Sequence, residues 1–498
     1  MTEAIPMTSA AFPWLSLLIL LLPLGGLIAA SLAPREARWA ALATSVGALL
    51  ISLVIVSGFN PAQSGFQFVE RSLWIPSLDI NYLLGVDGLS VLFLPFTALL
   101  FIGVILASWN AIQNLPRLFF ALLLLLEMAM MGIFSALDTI LFFLFWELSV
   151  LPLYFLISLW GIGPNRRYAG VKYTLFMLSS GVPLLLGFVV LALQHPNGIS
   201  FDYTRLLHIA HTHDYQTAIF ILLALAFAVK LPLFPLHSWL PVVAQEAPTQ
   251  VVALLVGLKV GVYGMIRFAF PLAPSAAQDF QYILIGLGML GVLYGALAAL
   301  GQTNLRRMLA FSSLSHVAMV FLGVVSMTQQ GLQGAIFQLL NFTVIAGGLF
   351  ILIGFIYQRV GSSEIPSLGG IAKSMPLLTS FFFILGAANL GIPGTSGFPA
   401  EFLLTVGVLE TYLGAGLLAL FSIILAAAYF LSAYRQAFLG KTRHASISES
   451  PDLKPRELAI MLLFTTLVLL FGFYPQGLLD FISIGSVDWL ERMTLLVE

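Results

Sequence analysis

Ionisable side chains stand inside long apolar stretches of this sequence. They are Glu127, Glu147, Lys230, Lys259 and Glu401, together with His237 and His316. A charged side chain in hydrocarbon costs about 2.5–3.5 kcal/mol on insertion scales, so each must face protein or water and is a candidate functional group. Burial disfavours the charged form and a nearby opposite charge favours it, so a movable partner makes such a group take or release a proton. This mixture of acids and bases suits a proton relay.

Glu147 lies in the run LFFLFWELS, with no other charge within a helical turn, so its partner is expected on another helix. Lys230 is the natural partner, because it immediately precedes a proline-rich run where a helix opens to water. A static structural ion pair is the alternative. We favour the relay.

Lys259 sits in the middle of an apolar run, too deep to reach the membrane surface easily. Glu401 follows a second proline-rich run and is expected to end the path at the opposite surface. The alternatives are structural: a buried lysine, a carboxylate that accepts freed backbone N–H groups, and, for His237 and His316, ordinary hydrogen-bonded histidines.

Composition places the whole chain in a bilayer. Of its 498 residues, 60% are hydrophobic and 9% charged, which excludes a water-soluble globular or a disordered protein. A net charge of -1 gives no reason to expect nucleic acid as a partner. The absence of cysteine excludes disulfides, thiolate metal sites and iron–sulfur ligation within this chain. His208, His211 and His213 cluster in one loop, but an ordinary polar surface explains them better than a metal site does, and we predict no metal.

Apolar runs predict an all-α polytopic membrane protein with about 14 transmembrane helices, numbered here as spans 1 to 14. They lie near 12–31, 38–57, 89–108, 117–135, 137–160, 171–192, 217–243, 249–270, 281–300, 305–326, 331–358, 376–410, 413–437 and 456–480. Odd-numbered loops then carry 15 of the 21 basic residues, and even loops carry only Arg71, Arg205 and Arg267. This excess of basic residues predicts that the odd-numbered loops lie on the cytoplasmic or stromal side and that both termini lie on the other side.

Prolines interrupt two of these spans. Pro232, Pro235 and Pro241 fall within span 7, and Pro393 and Pro399 within span 12. Proline inside a span is tolerated only where protein or water accepts the freed backbone groups. Because the two spans are five apart, equivalent helices run in opposite directions, as in an inverted-topology repeat whose paired broken helices line an ion or substrate pathway. Kinks that serve packing alone are the alternative.

Several motifs together resemble the antiporter-like subunits of respiratory complex I, most closely chain 4, called chain M in bacteria and the D chain in the photosynthetic NDH-1 complex. They are Phe145-Trp-Glu-Leu148, the run KLPLFPLHSWLP from Lys230, Glu246-Ala-Pro-Thr249, Lys259-Val-Gly-Val-Tyr-Gly264, Phe311-Ser-Ser-Leu-Ser-His316 and Gly394-Thr-Ser-Gly-Phe398.

The polar loops are too short for separate domains, so the sequence predicts one membrane domain, 1–498. The resemblance implies that two inverted five-helix repeats within it hold a half-channel each. Its parts are expected at 1–110 for spans 1–3, 117–270 for the first repeat (spans 4–8), 281–437 for the second repeat (spans 9–13), and 438–498 for a linker and the last helix.

By motif match, the resemblance assigns the relay roles to a set of residues that includes Lys172. The set is Glu147 with Lys230, the central Lys259, the exit Glu401, and His316 and Lys172; His237 joins it as a relay candidate on its place within span 7 alone. It also implies proton translocation driven by quinone or plastoquinone reduction in a bacterial inner membrane or a thylakoid. Redox groups (NAD(P)H or ferredoxin, iron–sulfur clusters, quinone) are expected in other subunits, with adjacent antiporter-like chains, a peripheral iron–sulfur arm and lipid as partners.

The sequence departs from the usual pattern of these subunits at a few positions. Val242 and Ala244 stand where an aspartate and a histidine are common, and Asn341 stands where span 11 usually carries a histidine. A D-chain variant linked to carbon dioxide uptake is one hypothesis. Two alternatives remain open: a subunit of a multisubunit Na⁺/H⁺ antiporter or membrane-bound hydrogenase, and a scaffold that keeps the fold but does not pump.

Overall fold

A computed structural model describes residues 5–196 and 198–494, so the predicted domain limits at 1 and 498 lie outside the described residues. Helices dominate it. The first twelve are α1 Trp14–Ser31, α2 Pro34–Gly58, α3 Phe93–Ser108, α4 Pro116–Ser135, α5 Thr139–Leu148, α6 Val150–Trp160, α7 Arg166–Ala192, α8 Tyr203–Ile209, α9 Gln216–Lys230, α10 Trp239–Glu246, α11 Thr249–Gly257 and α12 Val260–Gly264. The others are α13 Phe270–Leu272, α14 Pro274–Asp279, α15 Gln281–Leu300, α16 Leu305–Val325, α17 Gln329–Val360, α18 Ile371–Ser374, α19 Pro376–Asn389, α20 Gly397–Thr411, α21 Leu413–Ala437, α22 Ala445–Glu449, α23 Pro455–Phe473 and α24 Gln476–Thr494.

The helices confirm a polytopic, mostly helical membrane protein. Within the described ranges, eleven helical segments are long and apolar enough to cross a bilayer, and three shorter apolar helices, α3, α9 and α19, accompany them. The apolar stretches of α16 and α17 are completely buried. These two helices therefore form the centre of the bundle. The exact count of 14 spans and the two-repeat organisation stay predictions.

Loops that the sequence assigns to the same side of the bundle contact one another. On the side of the odd loops, Trp160 donates to the Asn114 carbonyl (2.7 Å) and the Gly370 amide donates to the Leu439 carbonyl (3.1 Å). On the opposite side, Gln281 donates to the Val325 carbonyl (2.8 Å). We call these sides the basic-loop face and the opposite face.

A small β-sheet covers part of the opposite face, which the all-α prediction did not include. Its strands are β1 Met7–Ser9, β2 Phe66–Ile75 and β3 Ile80–Val86, in the order β1-β2-β3. β1 pairs with β2 in parallel, and β2 pairs with β3 antiparallel. These segments are too polar and too short to span a bilayer, and pairing satisfies their backbone groups at its surface.

The C-terminal region is also more helical than the sequence predicts. The expected linker contains α22, and the last span, predicted to end near 480, is replaced by α23 and a second helix, α24. Pro475 separates the two helices, since proline cannot continue the hydrogen-bond ladder. α24 returns along the opposite face, where the Trp489 indole donates to the Ile266 carbonyl (2.7 Å).

Candidate functional site

The first predicted break is confirmed in span 7. α9 ends at Lys230 and α10 begins at Trp239, so eight residues between them are not helical. Pro232 and Pro235 have no N–H to donate, which prevents the helix from continuing. Trp239 satisfies one of the freed carbonyls, because its indole donates to the oxygen of Val229 (2.9 Å).

Lys230 points from this break toward α5 and the junction between α5 and α6. Its Nζ donates to the Ser149 hydroxyl (2.9 Å) and lies 3.7 Å from the centre of the Trp146 ring. A cation over the face of tryptophan is attracted by the ring quadrupole. The amine also donates to the Trp146 carbonyl (3.4 Å), so one hydroxyl, one carbonyl and one aromatic face hold it.

Glu147 interacts electrostatically with Lys230, but the two do not form a contact ion pair within 4 Å. Its Oε1 is buried without a hydrogen-bond partner. Gly181 on α7 lies so close to this carboxylate that a Cβ there would collide with it. Acid and base are therefore separated by more than 4 Å in this structure.

A cavity of about 30 Å³ joins Lys230 to the middle of span 8. Tyr173, Trp239 and Leu258 are among its lining residues, and the Tyr173 hydroxyl is buried without a partner. About 30 Å³ is the volume of one water molecule in the liquid, and such a site needs polar partners, which the amine and the phenol provide.

Span 8 is interrupted at Lys259, a break that was not predicted from the sequence. α11 ends at Gly257, Leu258 is extended, and α12 starts only at Val260. Gly261 packs so closely against the backbone of Leu231 that a Cβ there would collide with it. The interrupted segments of spans 7 and 8 are therefore in direct backbone contact.

Lys259 reaches from this break to the central helix α16. Its Nζ donates to the Ser313 hydroxyl (2.7 Å) and lies 5.6 Å from the Phe342 ring centre. The residue is 5% exposed, and no carboxylate lies within 4 Å of its amine among the described residues. His316 is three residues after Ser313, so the two share a face of α16.

The second predicted break is confirmed in span 12, where α19 ends at Asn389 and α20 begins at Gly397. Glu401 stands on the first turns of α20, and its Oε1 lies 3.3 Å from His316 Nδ1, without hydrogen-bond geometry. Gly391, with a φ of +64°, runs so close to this carboxylate that a Cβ would collide with it. The Glu401 carboxylate therefore contacts both the His316 imidazole and the non-helical backbone at Gly391.

Two asparagines form hydrogen bonds at the second break. Asn389 places its amide nitrogen 3.2 Å from His316 Nε2 and donates to the Ser312 hydroxyl (3.3 Å). Asn341, the residue that departs from the histidine of the resembling subunits, donates to the Ser396 carbonyl (2.8 Å). Its amide thus satisfies a carbonyl that the break leaves free.

His237 and Lys172 lie near each other and have other partners. His237 Nε2 is 3.1 Å from the Tyr294 hydroxyl, and its Nδ1 is buried without a partner. Lys172, on α7, is near enough to affect His237 electrostatically. Among the predicted residues, the structure therefore brings Glu147 near Lys230 and His316 against Glu401, and it joins Lys259 to α16 through Ser313.

The neutral residues that connect these groups were not predicted from the sequence. Ser149 contacts Lys230, Ser313 contacts Lys259, and Asn389 contacts His316. A polar residue shortly before a proline–glycine break was the available signal for Asn389. Nothing distinguished the serines, because serine in a helix commonly bonds to its own backbone.

Comparison with known proteins gives a consistent result. Residues 136–426 match the family model described as NADH:quinone oxidoreductase/Mrp antiporter, transmembrane. NADH-quinone oxidoreductase subunit M of Rhodobacter capsulatus is 36% identical over 91% of this chain and 90% of the relative. NAD(P)H-quinone oxidoreductase chain 4 1 of Synechococcus sp. (strain JA-2-3B'a(2-13)) is 38% identical over 93% and 90%.

Solved structures share the fold. A chain of respiratory complex I from Thermus thermophilus superposes with a TM-score of 0.87 at 32% identity, covering 96% of this chain and 99% of the other. A chain of the Mrp complex from Dietzia sp. DQ12-45-1b gives 0.83 at 23% identity, covering 96% and 98%. The family match over more than half of the chain and the two relatives aligned over nine-tenths of it agree: the chain belongs to the NADH:quinone oxidoreductase/Mrp antiporter family of membrane proteins.

Proposed function

We propose that this chain carries protons across the membrane as a membrane-arm subunit of a quinone oxidoreductase of the complex I type. The line of acids and bases across the bundle supports this most directly. Lys230 lies at the first break beside a small cavity, Lys259 donates to Ser313 on α16, and His316 on the same helix contacts Glu401 at the second break. Buried ionisable groups at paired broken helices are typical of ion pathways in membranes.

In this proposal, the path begins at Glu147 and Lys230 and ends at Glu401. A proton on the amine of Lys230 enters water in the small cavity, which is lined by the two chain neighbours of Lys259, Leu258 and Val260, and passes from there to Lys259. Ser313 orients the Lys259 amine toward α16. His316 then exchanges the proton with Glu401 across the 3.3 Å contact. His237 and Lys172 lie beside the relay residues and adjust the electrostatic field at the Lys230 amine.

The redox groups belong, in this proposal, to other subunits. NAD(P)H or ferredoxin, iron–sulfur clusters and the quinone react elsewhere, in a peripheral arm and its junction with the membrane. Neighbouring antiporter-like chains flank this one. The basic-loop face is the cytoplasmic or stromal side, in agreement with the excess of lysine and arginine there, and both termini lie on the other side.

The test is to change Glu147→Gln and, separately, Lys230→Ala in the assembled complex. Removal of an acid–base group is expected to lower proton translocation by at least about tenfold, measured as fluorescence quenching of a pH-sensitive dye in inverted membrane vesicles. Quinone reduction by detergent-solubilised complex and the amount of assembled complex serve as controls. Glu410→Gln, at an exposed position of α20, is the matched variant and should pump normally.

The same vesicles separate the alternatives. A chain that serves only as scaffold would leave the number of protons per electron unchanged in both variants. An antiporter subunit would instead show sodium-dependent proton flux without any quinone or NAD(P)H. Either result would replace the proposed function.

A further inference from the structure

A polar groove on the basic-loop face is not part of the path described above. Its volume is about 220 Å³, enough for about seven waters at about 30 Å³ each. Gln302, Thr303, Ser432 and Gln436 line its outer part, and Tyr429 stands at its inner end. Backbone and side-chain polar groups dominate this lining, which suits water.

Tyr429 connects the groove to the central helix. The residue is only 3% exposed, and its hydroxyl donates to Ser312 Oγ (2.7 Å) on α16. Tyr429 is eight residues before the end of α21 at Ala437, about 12 Å below that end at 1.5 Å per residue. Ser312 is four residues before His316, so both project from the same face of α16.

Asn389 stands between Ser312 and His316. Its amide nitrogen lies within hydrogen-bond distance of both, at 3.3 Å from the Ser312 hydroxyl and 3.2 Å from His316 Nε2. A carboxamide nitrogen donates but does not accept a proton under these conditions, so it cannot pass one along. Asn389 is also the last residue of α19, and a movement of the broken helix moves its side chain.

We propose that this groove is a second proton entrance, which leads from the basic-loop face through Tyr429 and Ser312 to His316 and Glu401, and that Asn389 is its gate. This inference rests on the proposed function of the chain. It adds a route that loads Glu401 without passing through Lys259.

The proton count balances along this route. A hydronium ion in the groove gives a proton to the Tyr429 oxygen and leaves a neutral water, and the phenol's own proton moves to Ser312 Oγ. The Ser312 proton moves to a water that occupies the place of the Asn389 amide when the gate opens, and that water protonates His316 Nε2. His316 becomes a cation beside the Glu401 carboxylate, and no electrons are transferred.

Cysteine accessibility tests the entrance independently of pumping, because the chain has no cysteine of its own. Ser432→Cys in the groove is expected to react with a charged thiosulfonate added to membranes whose basic-loop face is accessible, since the reaction requires a hydrated thiolate. Leu431→Cys, the adjacent residue on the lipid side with 49% exposure, should not react. Modification is read on the isolated chain by mass spectrometry. A Ser432→Cys chain that is no more reactive than the Leu431→Cys chain would overturn the proposal.

Two further variants test the relay and the gate. Tyr429→Phe removes only the hydroxyl and is expected to lower proton translocation by at least about threefold at unchanged assembly. Tyr434→Phe, five residues along the same helix, is the matched control and should pump normally. Asn389→Ala makes room for water and should let the proton gradient collapse faster once the electron donor is exhausted.

The outcomes separate this inference from the function on which it rests. If Tyr429→Phe pumps like the parent complex while Glu147→Gln does not, the second entrance is wrong and the proposed function stands. If Glu147→Gln also pumps normally, the proposed function itself fails. A gradient that decays at the parent rate in Asn389→Ala would exclude Asn389 as the gate.

Discussion

Arg267 and Asp87 form the most deeply buried ion pair in the described part of the chain. Two guanidinium nitrogens donate to the two carboxylate oxygens at 2.7 and 2.5 Å, with side-chain exposures of 2% and 7%. Removing one partner of such a pair leaves a buried charge without compensation, which costs about 3–5 kcal/mol. We therefore expect Asp87→Asn to destabilise the subunit strongly.

An exposed pair on the same face provides the comparison. Arg205 and Asp79 lie 2.8 Å apart at exposures of 46% and 27%, and exposed pairs contribute about 0–1 kcal/mol. Asp79→Asn should therefore have a small effect. The measurement is the temperature at which each complex loses assembly in mild detergent. Equal losses for the two variants would show that burial does not decide the energetics here.

At the level of residues, the charged members of the site could be predicted and their partners could not. A lysine or glutamate inside an apolar run stands out, because its insertion cost demands a reason. The expected contact between Glu147 and Lys230 is absent, and Lys230 contacts Ser149 and Trp146. Which hydroxyl meets which amine depends on how helices rotate against each other, and apolar runs do not encode that rotation.

Among the helices, the breaks of spans 7 and 8 depend on one close backbone contact. Gly261 lies against Leu231, and a Cβ would come within 2.8 Å of its backbone atoms. Because backbone cannot move aside as a flexible side chain can, Gly261→Ala must separate the two breaks. We expect it to lower proton translocation severalfold with all relay residues still present, as small displacements of reacting groups do.

Gly286 is the matched position for this change. It lies on α15, and an added Cβ would meet nothing within 4 Å. Gly286→Ala should therefore pump normally and, because alanine favours helix by up to about 1 kcal/mol, should be slightly more stable. Both variants are compared by vesicle acidification per amount of assembled complex. Normal pumping by Gly261→Ala would mean that the contact is not required.

Prolines made two of the three breaks predictable, and the third had no comparable signal. Pro232 and Pro393 identify the interruptions of spans 7 and 12, whereas Lys259 is flanked only by Gly257 and Gly261. Glycine weakens a helix but does not end it. Strands β2 and β3 and helix α24 were missed for a related reason: they are amphipathic surface elements, and a search for long apolar runs passes over them.

Across the whole molecule, the proposed relay connects the two breaks, and the proposed second entrance joins it from the basic-loop face. α16 is the common element, since Ser313 meets Lys259, Ser312 meets Tyr429 and His316 meets Glu401. A shift of this completely buried helix against α20 and α21 changes the contacts of His316 and Ser312 together. If the two breaks are coupled as proposed, α16 is the helix that connects them, because its polar side chains contact residues at both.

The orientation of the bundle is itself testable, because the excess of basic residues on one face predicts that this face is cytoplasmic or stromal. Two exposed positions in a chain without cysteine allow a direct test: Ser446→Cys in α22, on the basic-loop face, and Ala62→Cys, on the opposite face. A membrane-impermeant maleimide added to inverted vesicles, whose cytoplasmic side faces outward, should label the first and not the second. Intact spheroplasts should give the reverse pattern. Labelling of Ala62→Cys in inverted vesicles would turn the whole path around, so that the groove beside Tyr429 would release protons instead of admitting them.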